Sequence, residues 1–181
     1  MADTVQALID QAWQARRDKR PDQAHRLCTE AVRLARASDA RADLVRALSG
    51  LGQVERDLKN YEAARPLYEE AAGICRALEN PSMLANAIRH LGDLYQDLGS
   101  LEKAETCYRE ALALLRSLDG VSPLALANTL RPYALLKEKT GKKSEAEDVW
   151  KEALALYRKA DIAAGVEECR VHLAEGKKGG S

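Results

Sequence analysis

The sequence predicts an all-α protein, a stack of four helix pairs followed by a ninth, capping helix. Three observations predict it. Residues 47–78 and 87–118 repeat one another at an offset of 40, which takes Leu51-Gly52 onto Leu91-Gly92, Ala64 onto Ala104 and Ala71 onto Ala111. Inside a repeat the apolar residues recur at helical spacing, as in Leu101, Ala104, Tyr108, Ala111, Leu112 and Leu115. Among the 181 residues there is no Phe, with only 5 Pro and 11 Gly, and Ala and Leu dominate. That composition favours helices and leaves too few turn residues for a many-stranded β protein.

Taken in order, the first pair is expected over 4–19 and 21–36, where a step of 40 back from the second repeat finds Ala24, Cys28 and Ala31. The second pair is expected over 40–58 and 61–78, with Asn60 as the cap of its second helix. The third covers 81–98 and 101–117: Asn80 caps, Pro81 sits where a missing N–H costs nothing, Gly99 closes the helix and Ser100 caps the next. Ser122-Pro123 opens the fourth, over 123–140 and 143–159, with Gly141 at its internal turn. A step of 42 reaches Ala146, Trp150 and Ala153, and Tyr133-Ala134 stands in place of Leu-Gly. One more step lands on Leu173-Ala174 in a leftover helix, 162–175. There Val166, Cys169 and Leu173 can cover the fourth repeat while Glu167, Glu168, Arg170 and Glu175 offer polar faces. Pro66 and Pro132 fall inside helices, and Pro132 is expected to bend its own.

A helix pair this short cannot bury its apolar face alone and must stack on its neighbours. Residues 1–175 are therefore expected to form one domain, with repeats at about 4–36, 40–78, 81–117 and 123–159. Gly176–Ser181, Gly and Lys with nothing to bury, is expected as a flexible tail.

Composition excludes several function classes. Lys+Arg and Asp+Glu both number 28, so neither nucleic acid nor anionic lipid has a net field to act on. The first residues lack a basic segment followed by an apolar run, and no stretch approaches the roughly 20 apolar residues that span a bilayer. A cytoplasmic location is the expectation. Cys28, Cys75, Cys107 and Cys169 form no Cys-x-x-Cys pair and read as reduced, mostly buried thiols. Three histidines, His25, His90 and His172, are all the chain offers as general bases near neutral pH. His90 and His172 occupy equivalent repeat positions, two units apart, too distant to share a metal. With no phosphate loop and no nucleophile elbow, no enzyme activity, catalytic residue, metal or cofactor is expected.

Leu91, Gly92, Tyr95, Ala104, Tyr108 and Ala111 together resemble the tetratricopeptide repeat pattern. The usual period is 34 residues; the 40 to 42 here are similar to the kinesin light chain type and its bacterial relatives, as are Ala-Arg-Pro-Leu-Tyr-Glu-Glu-Ala at 64–71 and Ala-Asn-Thr-Leu at 127–130. Repeat one departs, with Gln11-Ala12 where Leu-Gly would stand. The resemblance implies a right-handed superhelical solenoid acting as a protein–protein interaction module, an adaptor or scaffold that binds peptides in a concave groove.

At about 100° per residue, positions two and five either side of the Leu of each Leu-Gly pair point away from the core. They give Arg46, Ser49, Gln53 and Arg56 in repeat two, and Asn86, Arg89, Asp93 and Gln96 in repeat three. Repeat four gives Asn128, Arg131, Leu135 and Glu138, and repeat one Gln6, Ile9, Trp13 and Arg16. The recurring Asn-x-x-Arg suits an extended acidic segment, its backbone held by amides and its carboxylates by guanidinium forks. Polar residues on a solvated face, with Arg89 paired to Asp93 along the helix, account for the same pattern. Trp13 reads either as an interface anchor or as packing at the end of repeat one. Ser49, Gln53 and Pro132 break the Lys/Asn arrangement with which some family members clamp a C-terminal carboxylate. The alternative reading is self-assembly into homo-oligomers through an uncovered repeat end.

Overall fold

The structure is a computed structural model that describes residues 2–178. Nine helices and no strand are found among them: α1 (Ala2–Arg17), α2 (Pro21–Ala37), α3 (Arg41–Asp57), α4 (Tyr61–Ala77), α5 (Pro81–Asp97), α6 (Leu101–Arg116), α7 (Pro123–Lys139), α8 (Lys143–Lys159) and α9 (Ala163–Lys178). The expected boundaries hold to within three residues at both ends of every helix. α9 runs on through Gly176 to Lys178, past the expected start of the tail; residues 179–181 lie outside the described residues. Despite Pro66 and Pro132, α4 and α7 are each continuous over 17 residues.

The long period now has a cause. α2 to α5 are each 17 residues long, and starts at 21, 41, 61, 81 and 101 leave three-residue turns between them. It is the helices, not the connections, that exceed the usual repeat. Each short turn holds one residue in the left-handed region: Lys19, Asp39, Lys59, Glu79, Gly99, Gly141 and Asp161. The next N–H then reaches back five residues, as in Asn60 N to Glu55 O at 2.8 Å and Ser100 N to Tyr95 O at 2.8 Å. This is the Schellman closure, which satisfies carbonyls the helix end leaves open. The connection between α6 and α7, residues 117–122, is longer, and this accounts for the step of 42.

Capping departs from expectation. Asn80 does cap α5, its Oδ1 accepting from Met83 N–H at 3.0 Å. Asn60, Ser100 and Ser122 form no side-chain cap. Asn60 and Ser100 leave the turn at φ/ψ of −82/61 and −81/65, outside the extended region from which a cap side chain reaches the first turn.

The chain divides into two compact units, residues 1–94 and 95–181. In the first, α1, α2 and α3 pack on one another and α4 on α3. Val5, Ile9, Ala31, Val45, Leu48, Val54 and Cys75 lie in its core, with Trp13 half-buried against it. In the second, α7 packs on α6 and α8, and α9 on α8. All four cysteines are free, and burial pushes their thiols up, to about 11 at Cys28, Cys107 and Cys169. They are packing residues, not nucleophiles. No helix among the described residues is long and apolar enough to cross a membrane.

Candidate functional site: a guanidinium cluster on the first helices

In the first unit the polar residues of α1, α3 and α5 interlock. Arg16 donates to Gln53 Oε1 at 3.0 Å and pairs with Asp57 at 2.7 Å. Since arginine can only donate, Gln53 Oε1 is the acceptor and its amide nitrogen donates, to His90 Nε2 at 3.1 Å. Arg89 donates to that same Nε2 at 2.9 Å. With two donors facing it, Nε2 carries no proton, so His90 is neutral and protonated at Nδ1, which faces Asp93 at 3.6 Å. Asp93 also takes Arg89 at 3.0 Å and Arg56 at 3.3 Å. Links from Arg16 to Gln53, Gln53 to His90 and Arg56 to Asp93 each join residues 37 apart. They run from one first helix to the next.

The electrostatics follow from burial and neighbours. Burial and the adjacent Arg89 lower the His90 pKa to about 4. Burial would raise Asp93, but the His90 ring N–H and the charges of Arg89 and Arg56 outweigh it, and the carboxyl falls to about 2. The Tyr68 ring stacks on His90 with centroids 5.3 Å apart. Ser49 Oγ, Tyr68 OH and His90 Nδ1 are buried and have no hydrogen-bond partner among the described residues, the Nδ1 contact with Asp93 being an electrostatic one.

Not every residue assigned to this face lies on it as expected. Ser49 and Ile9 are buried, 5% and 4% exposed, because the tight approach of α1 and α3 covers that position. Arg89 is not solvent-facing: its side chain is 17% exposed and bonded to Asn86, His90 and Asp93. The helical pairing of Arg89 with Asp93 is present. Arg46 is exposed and pairs with Asp43. Gln6 bonds Asp10 within α1. Trp13 both packs on the core and carries Arg16 over its ring at 4.8 Å.

In the second unit the corresponding residues are engaged internally. Gln96 accepts from Tyr108 OH at 3.2 Å and Asn128 from Tyr157 OH at 3.0 Å. Arg131 pairs with Glu168 at 2.7 Å. Leu135 is half-buried. Glu138 accepts from the Trp150 indole at 2.8 Å and contacts His172 at 3.1 Å. Sequence reasoning missed His90 as a network member, although its 22-residue distance from Tyr68 matches that of His172 from Trp150, on which His172 stacks at 4.4 Å. It also missed Lys137, buried on α7 between Glu105 at 2.6 Å and Glu145 at 2.7 Å. Burial opposes its charge, but the two carboxylates hold its pKa above the usual lysine value. Nothing in the periodicity marks that position. No cluster of three or more potential metal ligands occurs among the described residues.

Paired helices of fixed length, short turns and a polar face of cross-helix bonds define a helical-repeat interaction protein. A tetratricopeptide repeat signature matches residues 3–77 and 83–159, and the chain belongs to that family. The family is one of protein–protein interaction modules, generally without enzymatic activity. Over 97% of its length the chain is similar to a Rap protein solved in complex with Competence and Sporulation Factor (16% identity, TM-score 0.84, 52% of that chain). It is similar over 98% to aspartyl phosphate phosphatase F from Bacillus subtilis (16% identity, TM-score 0.81, 48% of that chain). A putative kinesin light chain repeat protein from Podosopora anserina matches over 98% (14% identity, TM-score 0.74, 87% of that chain). The chain thus spans about half of the first two, and at these identities the likeness is one of fold. No curated protein matches the chain.

Proposed function

We propose that this chain is an adaptor that holds an extended acidic polypeptide segment against the α1, α3 and α5 face of its first unit. One observation carries the reading. Arg16 and Arg56, with side chains 22% and 28% exposed, are fixed by cross-helix bonds, and Arg89, 17% exposed, by bonds within α5, around two carboxylates, Asp57 and Asp93. The cluster gathers three guanidiniums in a partly dry setting, where a carboxylate is bound more strongly than in open water. Its arginines are already ordered, so binding loses little side-chain entropy. Asn86, exposed at the edge, can bond a peptide backbone. Membership of a family of protein–protein interaction modules supports a polypeptide as the class of partner, and the similar Rap protein is solved in complex with Competence and Sporulation Factor.

End-to-end assembly gains less support. Gln11 on α1 is exposed where interior repeats place Leu51 and Leu91. On α9, Arg170 and Gly176 replace the buried pairs Leu48 with Val54, and Leu130 with Leu136.

A fluorescein-labelled hexaglutamate peptide tests the reading by anisotropy. Arg56→Glu should cut its affinity by an order of magnitude or more, about the value of one charge-assisted bond. Raising the salt should weaken it further. Arg33→Glu, on the exposed side of α2, is the control and should change little. Equal losses in both variants, or none, would remove the cluster as the site, and a dimer by light scattering would revive self-assembly.

A further inference from the structure

A comparable core layer recurs where each second helix meets the first helix after it; at α2 and α3 it holds Ala24, Cys28, Leu51 and Val54, all buried. In the first unit Tyr61, Ala64 and Tyr68 of α4 meet Leu91 and Leu94 of α5. In the second, Leu101, Ala104 and Tyr108 of α6 meet Tyr133 and Leu136 of α7. The equivalent positions on α8 and α9 are Lys143, Ala146, Trp150, Leu173 and Gly176. There the frame survives: Ala146 and Trp150 are 2% and 1% exposed, and His172 stacks on the indole. The plug does not. Leu94 and Leu136, both 0% exposed, become Gly176, whose missing Cβ would meet nothing within 4 Å. An open cavity of about 480 Å³ results.

We propose that this cavity is a docking site for a polypeptide segment that inserts a leucine or aromatic side chain flanked by lysine or arginine. The walls suit such a side chain, because the α4–α5 and α6–α7 layers are filled by leucine, and the α2–α3 layer by valine, from the same position. Leu173 and Trp150 line it, and the indole N–H is already satisfied by Glu138, so the occupant need offer no hydrogen bond there. The charge of the partner follows from the rim, where Glu138 and Glu175 outnumber Lys143, Glu147 being paired with Lys151 at 2.8 Å. This site lies wholly within the second unit and does not rest on the guanidinium cluster, which selects the opposite charge.

Two tryptophans, at 13 and 150, make indole N–H resonances the readout, with Trp13→Phe assigning them. The probes are acetyl-Lys-Leu-Arg-amide, acetyl-Lys-Ser-Arg-amide and acetyl-Glu-Leu-Glu-amide. The basic leucine peptide should shift the Trp150 resonance saturably and leave that of Trp13 in place. Gly176→Leu, which refills the layer, should raise Tm and weaken binding about tenfold or more. Glu175→Lys, an exposed change, should weaken binding several-fold and leave Tm unchanged. A response to the serine peptide as strong as to the leucine peptide would overturn the proposal. So would preference for the acidic peptide, indifference to Gly176→Leu, or concentration-dependent dimerisation that Gly176→Leu abolishes.

Discussion

Burial first, and neighbouring positive charge second, oppose protonation of His90. Arg89 on its own helix and Gln53 on α3 occupy its Nε2, Arg56 adds positive charge, and Tyr68 of α4 covers its ring. Asp93 alone favours the charged form. With a folded pKa of about 4 against the ordinary 6.5, the unfolded chain takes up the proton first. Stability from His90 is therefore complete above pH 6.5 and is lost as pH falls toward 4. Asp93 acts in the same direction lower down: its contribution is present above 3.8 and is lost as pH falls toward 2. Shifting one buried imidazole this far is worth roughly 3 kcal/mol. His90→Gln should melt below wild type at pH 7.5, having lost the ring stack, and the gap should narrow by pH 4.5. Parallel Tm curves for the two proteins across that range would show that another group controls the acid response.

At the scale of the helix, two glycines separate packing from propensity. Inside a helix Ala is favoured over Gly by about 1 kcal/mol. Gly73 of α4 has open space where a Cβ would stand, so Gly73→Ala should stabilise by up to that amount. At Gly52 of α3 the added Cβ would lie 2.6 Å from the Tyr68 ring, which is fully buried and cannot withdraw. Overpacking costs about 1–3 kcal/mol, so Gly52→Ala should destabilise despite its better helix propensity. Opposite signs in urea unfolding are expected, and equal signs would refute the account. The Leu-Gly pair and its aromatic partner were legible in the sequence because the repeat shows both. The turns were legible only at Gly99 and Gly141; Lys19, Asp39, Lys59, Glu79 and Asp161 adopt the same left-handed conformation with no glycine to mark it. There the backbone closure between packed helices overrides residue preference. Angular position identified the polar face, and the four-residue spacing of Arg89 and Asp93 identified their bond. It could not reveal that Arg16 meets Gln53, or Gln53 meets His90, because those contacts depend on how far neighbouring helices slide past each other.

At the scale of the molecule, a repeat protein holds together through nearest-neighbour interfaces, so the loss of an end element exposes the surface of its neighbour alone. α9 is such an element. Cys169 is fully buried, His172 covers the Trp150 ring, and Gly165 lets α9 approach the Tyr157 ring so closely that a Cβ would fall 2.6 Å from it. Removing everything after Lys159 would uncover both aromatic rings and strip the His172 contact from Glu138. At about 25 cal/mol per Å², baring one to two aromatic faces costs roughly 2–4 kcal/mol. For a chain of this length that lowers Tm by about 5–15 °C. Trp150 emission should move to the red as its indole meets water. Trp13, packed against the core of the first unit, should keep its emission, which a Trp13→Phe background separates from that of Trp150. Hydrogen exchange should quicken in α8 and leave α1 to α3 unchanged. Unaltered melting and emission after the truncation would show that α8 does not depend on α9 for burial, and the capping role would have to be abandoned.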